Sequence, residues 1–573
     1  MAHITQSIAN LIGPSPKLFS ENVDVLYHQP TEAKYDLDLK AWFGSAGSTI
    51  NFKSYVNSLY SQNIWPLNSK VKEVSLFLRG QGNCTVRLIE LSRYDETTLV
   101  DATVQLNKTE GMHIKFNLKK NCIYWPIIEF KTDGNLTTLQ WCVEVLASDL
   151  REVKFAIIST TFKKERDIKA TISNLDSFFL KASEKPRFFV IDNGQTLNKD
   201  DFPPTVNLIA QENLGGAGGF TRGLKEASAS GCSHFLFMDD DIIVEPELLA
   251  RIIRLQRINS NDVMLAGAML DSYSPTDHYE CGAKVAYEGF SLVPQLHRIS
   301  LCKPENFFRA LQELENIDYG GWWCFSFSQT NYFHIGDPLQ IFIRGDDEEF
   351  CLRGKTLGIN TRPLAGVGVW HEPFYAKNIS WIRYYLVRNR LLIANKYSSK
   401  PIGPYLIKLI AKDFLGAVLR YEYDAAYAIY RGLKDFLNIN QLLAASPADT
   451  HADLMAKIKG FLPKLEICEH SPVQQIKPPK WQIRLRLLIL NGHLLPIVKK
   501  TQIINLADFS WANIFSSKVK VVEGTPGKAK SYSLNPILGM YLMVLFCLTL
   551  ARAAVRICVQ SNTFARSFRY ASK

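Results

Sequence analysis

The sequence predicts an α/β protein with a doubly wound, mostly parallel sheet, an antiparallel β-sandwich before it and a helical region after it. Residues 1–150 contain short β-branched and aromatic runs separated by turns, the pattern of an antiparallel sandwich. From residue 151 to 400, apolar strands alternate with helical segments, as in a parallel sheet. In residues 401–573, apolar side chains recur at spacings of three and four, which is typical of amphipathic helices. We therefore expect three domains.

The composition argues against several classes of protein. Of the 573 residues, 47% are hydrophobic and 21% charged, which is ordinary for a globular chain. The net charge of +11 comes without dense basic clusters, so a nucleic-acid partner is not expected. The eleven cysteines form no CxxC pair, which argues against a zinc ribbon and favours reduced thiols in a cytosol. Residues 1–14 do not have the pattern of a signal peptide.

Four predicted strands of the central domain end in polar or glycine residues. They cover residues 154–159, 187–191, 206–209 and 234–238. The third strand leads to a glycine-rich segment, 213–220, that matches neither the dinucleotide motif GxGxxG nor a P-loop. Its glycines allow close approach of a ligand to the backbone, and the start of the following helix favours an anion.

The fourth of these strands runs directly into three consecutive carboxylates, Asp239, Asp240 and Asp241. Ligands of open α/β sheets sit at the carboxyl ends of the strands. Adjacent acids repel one another, so a divalent cation is expected to neutralise them, and oxygen ligands suit Mg²⁺ or Mn²⁺. Asp239 and Asp241 point the same way from an extended backbone. The alternative is a solvated acidic turn before the next helix.

The C-terminal region contains a candidate membrane-associating segment, residues 534–558. Its first 18 residues, 534–551, carry no charge, which is the low end for a membrane span, and Arg552 and Arg556 follow. A helix lying on an anionic inner leaflet is the favoured interpretation. A helix buried in a homo-oligomer and a full span are the alternatives.

Several motifs occur in the order and approximate spacing seen in one enzyme family. Together, over roughly residues 150–400, they resemble the inverting, family-2 nucleotide-sugar glycosyltransferases of GT-A fold, and among these the bacterial galactofuranosyltransferases that use UDP-galactofuranose. The motifs are Thr160-Thr161-Phe162, Asp192-Asn193-Gly194, the glycine-rich segment, the triple aspartate, Gly320-Gly321-Trp322-Trp323, Asp346-Asp347-Glu348-Glu349, Val369-Trp370-His371 and Arg388-Asn389-Arg390.

The resemblance implies roles for donor and metal binding. Mn²⁺ or Mg²⁺ would be held by Asp239, Asp241 and His371; a satisfied core histidine is the alternative for His371. The residues implied at the UDP-sugar are Phe162 and Lys164 near the uracil, Asp192 at the base or ribose, Asp240 at the ribose or sugar, and Gly215, Gly216 and Arg388. The family often has arginine in place of Lys164, and its histidine two residues before the Arg-Asn-Arg motif is Leu386 here. These two departures concern the uracil contact and the diphosphate contact.

An inverting transfer needs one general base to deprotonate the attacking hydroxyl. Asp346 and Asp347 open a predicted helix, and the resemblance implies that Asp347 is the base and that Asp346 grips the acceptor. Helix capping is the alternative for both. Trp322 and Trp323 are implied as an acceptor platform, since flat rings pack against sugar faces, with core packing as the alternative.

The resulting hypothesis is a metal-dependent transfer of galactofuranose from UDP-galactofuranose to a growing cell-surface glycan, free or lipid-linked. The enzyme would work in the cytoplasm on the inner face of the cell membrane. The alternatives are a family-2 transferase with a UDP-hexopyranose donor, a non-catalytic glycan-binding subunit and a nucleotidyltransferase.

Overall fold

In the computed structural model, the described residues are 3–15, 18–19, 23–93, 95–286, 290–303, 314–374, 379–398, 403–439, 445–468, 479–495, 497, 499–514, 516–522 and 527–559. They divide into two compact units. The first comprises Met1–Val285, Leu292–Leu339 and Asp346–Lys377, and the second Ala286–Ser291, Gln340–Gly345 and Asn378–Lys573.

The first unit begins with ten strands that pair only in antiparallel fashion. They are β1 (His3–Asn10), β2 (Lys34–Asp36), β3 (Ala41–Gly44), β4 (Thr49–Asn51), β5 (Leu59–Tyr60), β6 (Glu73–Leu91), β7 (Glu96–Leu106), β8 (Met112–Asn117), β9 (Ile123–Phe130) and β10 (Gly134–Leu146). The first half of the long β6 pairs with β8 and β10, and its second half with β7 and β9. The antiparallel strands predicted for residues 1–150 are therefore present, joined through β6 in one hydrogen-bonded network.

A nine-stranded mixed sheet follows. Its strands are β11 (Phe155–Thr161), β12 (Arg187–Asp192), β13 (Val206–Ala210), β14 (His234–Met238), β15 (Met264–Asp271), β16 (Asp277–Glu280), β19 (Ile299–Ser300), β20 (Phe325–Ser328) and β21 (Thr361–His371), and a ribbon of β17 (Ala283–Ala286) and β18 (Ser291–Pro294) lies outside it. The helices of this unit are α1 (Glu165–Phe179), α2 (Gly215–Ala229), α3 (Pro246–Ile258), α4 (Gln329–Ile335) and α5 (Asp346–Thr356).

The order β13-β12-β11-β14 is entirely parallel, and the antiparallel β20 separates β14 from the parallel pair β15 and β21. This arrangement agrees with the predicted doubly wound, mostly parallel sheet. The central strands of this sheet are apolar in sequence because both of their faces are buried. In β14, for example, all five residues are buried. Helix α1 buries Ile168, Ile172 and Leu175, which recur at helical spacing.

Helix α3 ties the antiparallel strands to the mixed sheet within the first unit. Glu247 accepts hydrogen bonds from the backbone and side-chain amides of Asn10, at 2.8 and 2.7 Å. The Arg254 guanidinium donates to Glu247 and to Glu184 in a buried ion-paired network. The network therefore connects β1 to α3 and, through Glu184, to the segment before β12, and the loss of either charge would leave its partner buried and unpaired. The domain boundary predicted at residue 150 is thus a change of architecture inside one compact unit.

The second unit is not purely helical, which corrects the prediction for residues 401–573. Its helices are α6 (Ile382–Tyr397), α7 (Gly403–Leu419), α8 (Tyr423–Leu437), α9 (Pro447–Ile458), α10 (Lys480–Leu488) and α11 (Pro536–Val559). It also contains a four-stranded sheet in the order β22 (Lys464–Cys468), β25 (Gly527–Ser533), β24 (Lys518–Val522) and β23 (Thr501–Asn505). These strands are only five to seven residues long, and β22 lies 58 residues before its partner β25, so the alternation of polar and apolar residues in β22 and β24 is a weak local signal.

Among the described residues, α11 is the one helix long and apolar enough to cross a membrane by length and composition. The stretch Pro536–Val555 has a mean hydropathy of 2.0 and is 28% buried. Leu542 and Phe546 are buried, and the Phe546 ring stacks on Phe414 of α7 with centroids 3.8 Å apart. Val544 and Leu548 are exposed on another side of the helix. One side of α11 therefore packs inside the unit, while an apolar side faces outward.

Candidate active site

The polar residues predicted to form a site follow strands that run in the same direction. Strands β11, β12, β14, β15 and β21 end at Thr161, Asp192, Met238, Asp271 and His371. Because β20 is antiparallel to both β14 and β15, these five strands are parallel to one another and present their carboxyl ends at one edge of the sheet. This edge, which we call the carboxyl edge, is where ligands of open α/β sheets bind.

A backbone bridge brings the triple aspartate next to β21. Ile243 donates its amide to the Trp370 carbonyl at 2.8 Å, and Trp370 donates to the Ile243 carbonyl at 2.9 Å. The Trp370 indole donates to Pro275 O at 2.8 Å, and the ring is fully buried. The bridge therefore joins the segment after the acids directly to β21, which carries His371, 130 residues beyond Asp241 in the sequence.

Asp239, Asp241 and His371 form a three-residue cluster with the chemistry of a metal site. His371 Nε2 lies 3.1 Å from Asp241 Oδ1 and 3.5 Å from Asp239 Oδ2, and the potential ligand atoms all lie within 4.8 Å of one another. His371 Nδ1 lies 2.8 Å from the Glu372 carbonyl. A proton on Nδ1 satisfies that carbonyl and leaves the Nε2 lone pair facing the carboxylates. Two carboxylates and one neutral imidazole suit Mn²⁺ or Mg²⁺.

Lys164 supplies the positive charge that faces the acids. Its Nζ lies 2.5 Å from Asp241 Oδ2 and 3.5 Å from Asp240 Oδ1. Burial lowers the pKa of Lys164, but the charges of Asp240 and Asp241 outweigh this effect and raise the pKa above its ordinary value. Burial raises the pKa of Asp240 to about 6, although Lys164 opposes this shift. Lys164 is thus a cation at the acid cluster, and its predicted contact with uracil stays a prediction.

Phe162 and Asp192, both predicted at the donor base, occupy different environments. The Phe162 ring directly follows β11 and is 46% exposed, with Lys163 Nζ over the ring at 5.2 Å from its centroid, so a flat ligand can reach it. Asp192 is buried, and its carboxylate accepts hydrogen bonds from the amides of Gly194, Thr196 and Leu197 at 2.7–2.9 Å. Asp192 therefore organises the loop after β12, and its contact with a base or ribose stays a prediction.

The glycine-rich segment has two structural roles that the sequence alone does not separate. A Cβ on Gly219 would lie 1.9 Å from Thr160 Oγ1 and one on Gly223 would lie 2.3 Å from Ile158, so these glycines let α2 pack closely on β11. Gly215 has a φ of +69°, which favours glycine, at the first residue of α2. A Cβ on Gly216 would be 3.5 Å from Asp346 Oδ2. Gly216 therefore lies beside the acids of α5.

The neighbouring acids Asp346 and Asp347 differ in exposure. Asp346 is buried, whereas Asp347 is partly exposed and accepts a hydrogen bond from the Glu348 amide at 2.8 Å. Both lie in the first turn of α5, where acids are stabilised by the helix dipole. The first turn thus presents one buried carboxylate and one that solvent can reach, which leaves both the predicted roles and helix capping open.

The structure packs the two predicted platform tryptophans into hydrophobic cores. Trp322 and Trp323 are 4% and 3% exposed, and the Trp323 indole donates to Gly267 O at 3.1 Å. Trp322 packs edge-on against Phe220 and Phe237. These contacts correspond to the core-packing alternative and leave little ring surface for a sugar. A Cβ on Gly321 would lie 2.1 Å from the Trp323 ring, so this glycine allows the close packing.

Arg388, predicted at the diphosphate, is engaged inside the second unit. Its guanidinium donates to Ile341 O at 2.6 Å, to Asn389 Oδ1 at 2.7 Å and to the Tyr384 hydroxyl at 3.2 Å. It also lies over the rings of Tyr384 and Tyr385. Leu386, where the family has histidine, is 47% exposed. The donor contact of Arg388 stays a prediction.

Comparison with known proteins finds two galactofuranosyltransferases. The chain is 26% identical over 408 residues to galactofuranosyltransferase GlfT2 of Mycolicibacterium smegmatis, covering 67% of this chain and 61% of that protein. It is 28% identical over 301 residues to galactofuranosyltransferase GlfT2 of Mycobacterium tuberculosis, covering 48% of this chain and 47% of that protein. The resemblance predicted from the motifs is confirmed. The prediction of a glycosyltransferase is supported with it.

The chain spans about six-tenths of the first relative's length and about half of the second's. No protein-family model matches the chain. Two solved structures are weakly similar, a mannosyltransferase from Pyrobaculum calidifontis in complex with GDP-Man and Mn²⁺ and GalNAc-T7 with UDP, GalNAc and Mn²⁺. The mannosyltransferase is 12% identical in sequence, and the match covers 55% of this chain and 87% of that chain at a TM-score of 0.30. GalNAc-T7 is 10% identical, and the match covers 57% of this chain and 62% of that chain at a TM-score of 0.32.

Three residues near the cluster were not predicted: Asp271, Tyr273 and Glu372. They lie at the ends of β15 and β21, whose parallel register places Asp271 opposite His371. Tyr273 donates to Glu372 Oε1 at 2.6 Å. The strand pattern of 264–271 ending in an acid was the available signal, because it repeats the pattern of β14 followed by Asp239.

The metal cluster predicts that Asp241→Ala and His371→Ala each weaken Mn²⁺ binding at least about tenfold, since each removes a ligand. Isothermal titration of Mn²⁺, with and without UDP, measures this directly. His334→Ala, which removes an exposed histidine of α4, serves as the control. Unchanged Mn²⁺ affinity in both cluster variants would contradict the assignment.

Proposed function

We propose that this protein transfers galactofuranose from UDP-galactofuranose to a growing cell-surface glycan, with inversion at the anomeric carbon and in a metal-dependent way. The observation that carries the proposal is the cluster of Asp239, Asp241 and His371 at the carboxyl edge of a doubly wound sheet. The named activity of the two relatives supports the sugar, and the motif resemblance supports the donor. The acceptor is a glycan or lipid-linked glycan.

The donor would occupy the part of the carboxyl edge formed by β11, β12 and α2. The exposed Phe162 ring offers apolar surface for the uracil, and the first turn of α2 at Gly216 would offer a backbone amide to phosphate oxygens. Gly215 orders this turn, because its amide donates to Asn213 Oδ1 at 3.1 Å. Asp192 acts on this site by holding the loop after β12, and Asp240 faces the ribose or sugar. Lys164 adds a cation beside the acids. Arg388 is a further proposed donor contact.

The metal would be held by the cluster already described. A bound Mn²⁺ or Mg²⁺ would neutralise charge on the diphosphate of the donor. The residues fit such an ion because the donor set combines two carboxylate oxygens with an imidazole whose other nitrogen is satisfied by Glu372 O.

The chemical step needs one base and a way to hold the acceptor. In an inverting transfer, the acceptor hydroxyl attacks the anomeric carbon from the face opposite the leaving UDP, and a carboxylate takes its proton. Asp347 is proposed as that base because it is the more exposed member of the acidic first turn of α5. The buried Asp346, beside Gly216, would hydrogen-bond the acceptor.

The choice of donor sugar is tested by a panel of UDP-sugars. We expect Mn²⁺-dependent UDP release to be fastest with UDP-galactofuranose in the presence of a galactofuranosyl acceptor. Preference for UDP-galactopyranose or UDP-glucose would favour the alternative family-2 hexosyltransferase. Binding of glycan without release of UDP from any donor would favour a non-catalytic glycan-binding subunit, and release of pyrophosphate would favour a nucleotidyltransferase.

The base assignment predicts different effects for two neighbouring substitutions. Asp347→Asn preserves the shape but cannot accept a proton, so kcat should fall by roughly a hundredfold or more with little change in donor affinity. Asp346→Asn should mainly raise acceptor KM. Steady-state kinetics with varied acceptor separate the two. The reversed pattern would indicate that Asp346 is the base. A near-normal kcat in both variants would indicate that the two acids only cap the helix.

A membrane surface is proposed as the working location, on the cytoplasmic inner face of the cell membrane, and a homo-oligomer as the assembly. The outward apolar side of α11 supports the membrane part of this proposal. Its exposed residues include Ile537, Tyr541, Val544 and Leu548. A helix that buries one side in the protein and exposes an apolar other side can lie on a bilayer surface.

The membrane proposal predicts that Val544→Asp combined with Leu548→Asp reduces binding to anionic liposomes about tenfold or more, because both charges would enter the apolar phase. Co-sedimentation measures binding, and UDP release in solution should remain. Leu357→Asp, at an exposed leucine of the first unit, is the matched control. Point changes are preferable to a deletion from Gly527, since β25 is paired on both sides in its sheet. Undiminished sedimentation of the double variant would contradict the proposal.

A further inference from the structure

Two exposed aromatic rings follow strands of the carboxyl edge on opposite sides of the triple aspartate. Phe162 follows β11, and Tyr273, 56% exposed, follows β15. In the sheet order β11-β14-β20-β15, the acids after β14 lie between them. Under the proposed function, the nucleotide occupies the Phe162 side. The Tyr273 side is therefore left for the other substrate.

The turn that carries Tyr273 is held in place by several hydrogen bonds. Asp271 Oδ1 accepts from the amides of Tyr273 and Ser274, at 2.8 and 3.3 Å. Ser272 donates its amide to the His371 carbonyl at 3.1 Å. Asp271 is itself buried, so the turn is anchored at its base. An exposed ring on an anchored turn loses little conformational entropy when it binds a ligand.

The Tyr273 hydroxyl is also fixed with respect to the metal cluster. It donates to Glu372 Oε1 at 2.6 Å, and Glu372 directly follows the cluster residue His371. The Glu372 carbonyl accepts from His371 Nδ1 while its partly exposed side chain meets Tyr273. The ring and the carboxylate are thus presented together at the carboxyl edge, one residue from the cluster.

We propose that Tyr273 and Glu372 form an acceptor subsite that binds a neutral sugar residue of the glycan. The Tyr273 ring would pack against the apolar face of the sugar, and the Glu372 carboxylate would accept hydrogen bonds from its hydroxyl groups. This pairing of a flat ring with a hydrogen-bond acceptor suits a polyhydroxylated ring and not a second phosphate, which the carboxylate would repel. The identity of the acceptor glycan rests on the proposed function. Tyr273 takes the place of the buried Trp322 and Trp323 as the ring that packs against the sugar.

A different role would be purely structural. The bond between Tyr273 and Glu372 joins the ends of β15 and β21, so it could serve only to hold His371 in position. In that case, loss of the tyrosine would weaken Mn²⁺ and UDP binding. An acceptor subsite instead requires that acceptor binding changes while Mn²⁺-dependent UDP affinity does not.

The test compares Tyr273→Ala with Tyr273→Phe in the full-length chain. With UDP-galactofuranose and a synthetic galactofuranosyl disaccharide as acceptor, Tyr273→Ala should raise acceptor KM about tenfold, the size of a lost ring contact. Donor KM and UDP affinity with Mn²⁺ should be unchanged. Tyr273→Phe keeps the ring and should stay within about threefold of the wild-type acceptor KM. Phe333→Ala removes an exposed ring from α4, which follows the antiparallel β20 at the opposite edge of the sheet, and is the matched control.

Saturation-transfer NMR with the same disaccharide separates failure of the subsite from failure of the proposed reaction, because it needs no turnover. Sugar signals in the wild type that are lost in Tyr273→Ala would support the subsite even if no UDP-sugar is consumed. A wild-type acceptor KM in Tyr273→Ala, equal loss of UDP affinity, or no binding of the disaccharide by the wild type would each overturn it.

Discussion

The site depends on one constraint, which is that the strands carrying its residues run parallel and end at the same edge of the sheet. Two backbone hydrogen bonds between Ile243 and Trp370 connect segments of this edge that are 127 positions apart in the sequence. The pairing of β21 with β15 sets the register of His371, and the bridge adds a direct link between β21 and the segment that follows the acids. The bridge is protected because the Trp370 ring is fully buried and its indole is hydrogen-bonded. Backbone hydrogen bonds in a dry environment are costly to break, so the cluster is held by the core and not by its own side chains.

Electrostatics then determine what the edge can accept. Three adjacent carboxylates cannot all remain charged and partly buried without compensation. Lys164 compensates Asp240 and Asp241 from one side, and the His371 imidazole faces Asp239 and Asp241 from another. The result is an edge that favours a cation between the acids and, through it, an anionic ligand. This charge pattern suits the nucleoside diphosphate sugar of the proposed function.

The sequence was sufficient to predict those features of the fold and the site that are local or periodic. Alternating strands and helices predicted the parallel sheet, and the apolar run before Asp239 predicted where its acids would stand. Features that depend on contacts between distant residues could not be predicted from the sequence. Tyr273 and Glu372 are 99 residues apart, and only the pairing of β15 with β21 brings them together. Trp322 is buried by Phe220 and Phe237, which lie 102 and 85 positions earlier in the sequence. In the C-terminal sheet, 58 residues lie between the paired strands β22 and β25.

The central claim is that Asp239, Asp241 and His371 form one metal-binding site at the carboxyl edge. The most direct measurement is a crystal structure with Mn²⁺ and UDP, with the ion located from its anomalous scattering at the manganese absorption edge. We expect one strong peak at about 2.0–2.3 Å from a carboxylate oxygen of Asp239, a carboxylate oxygen of Asp241 and His371 Nε2, and UDP with its diphosphate next to the ion. A peak elsewhere, or UDP bound with this cluster unligated and Lys164 still paired to Asp241, would contradict the account.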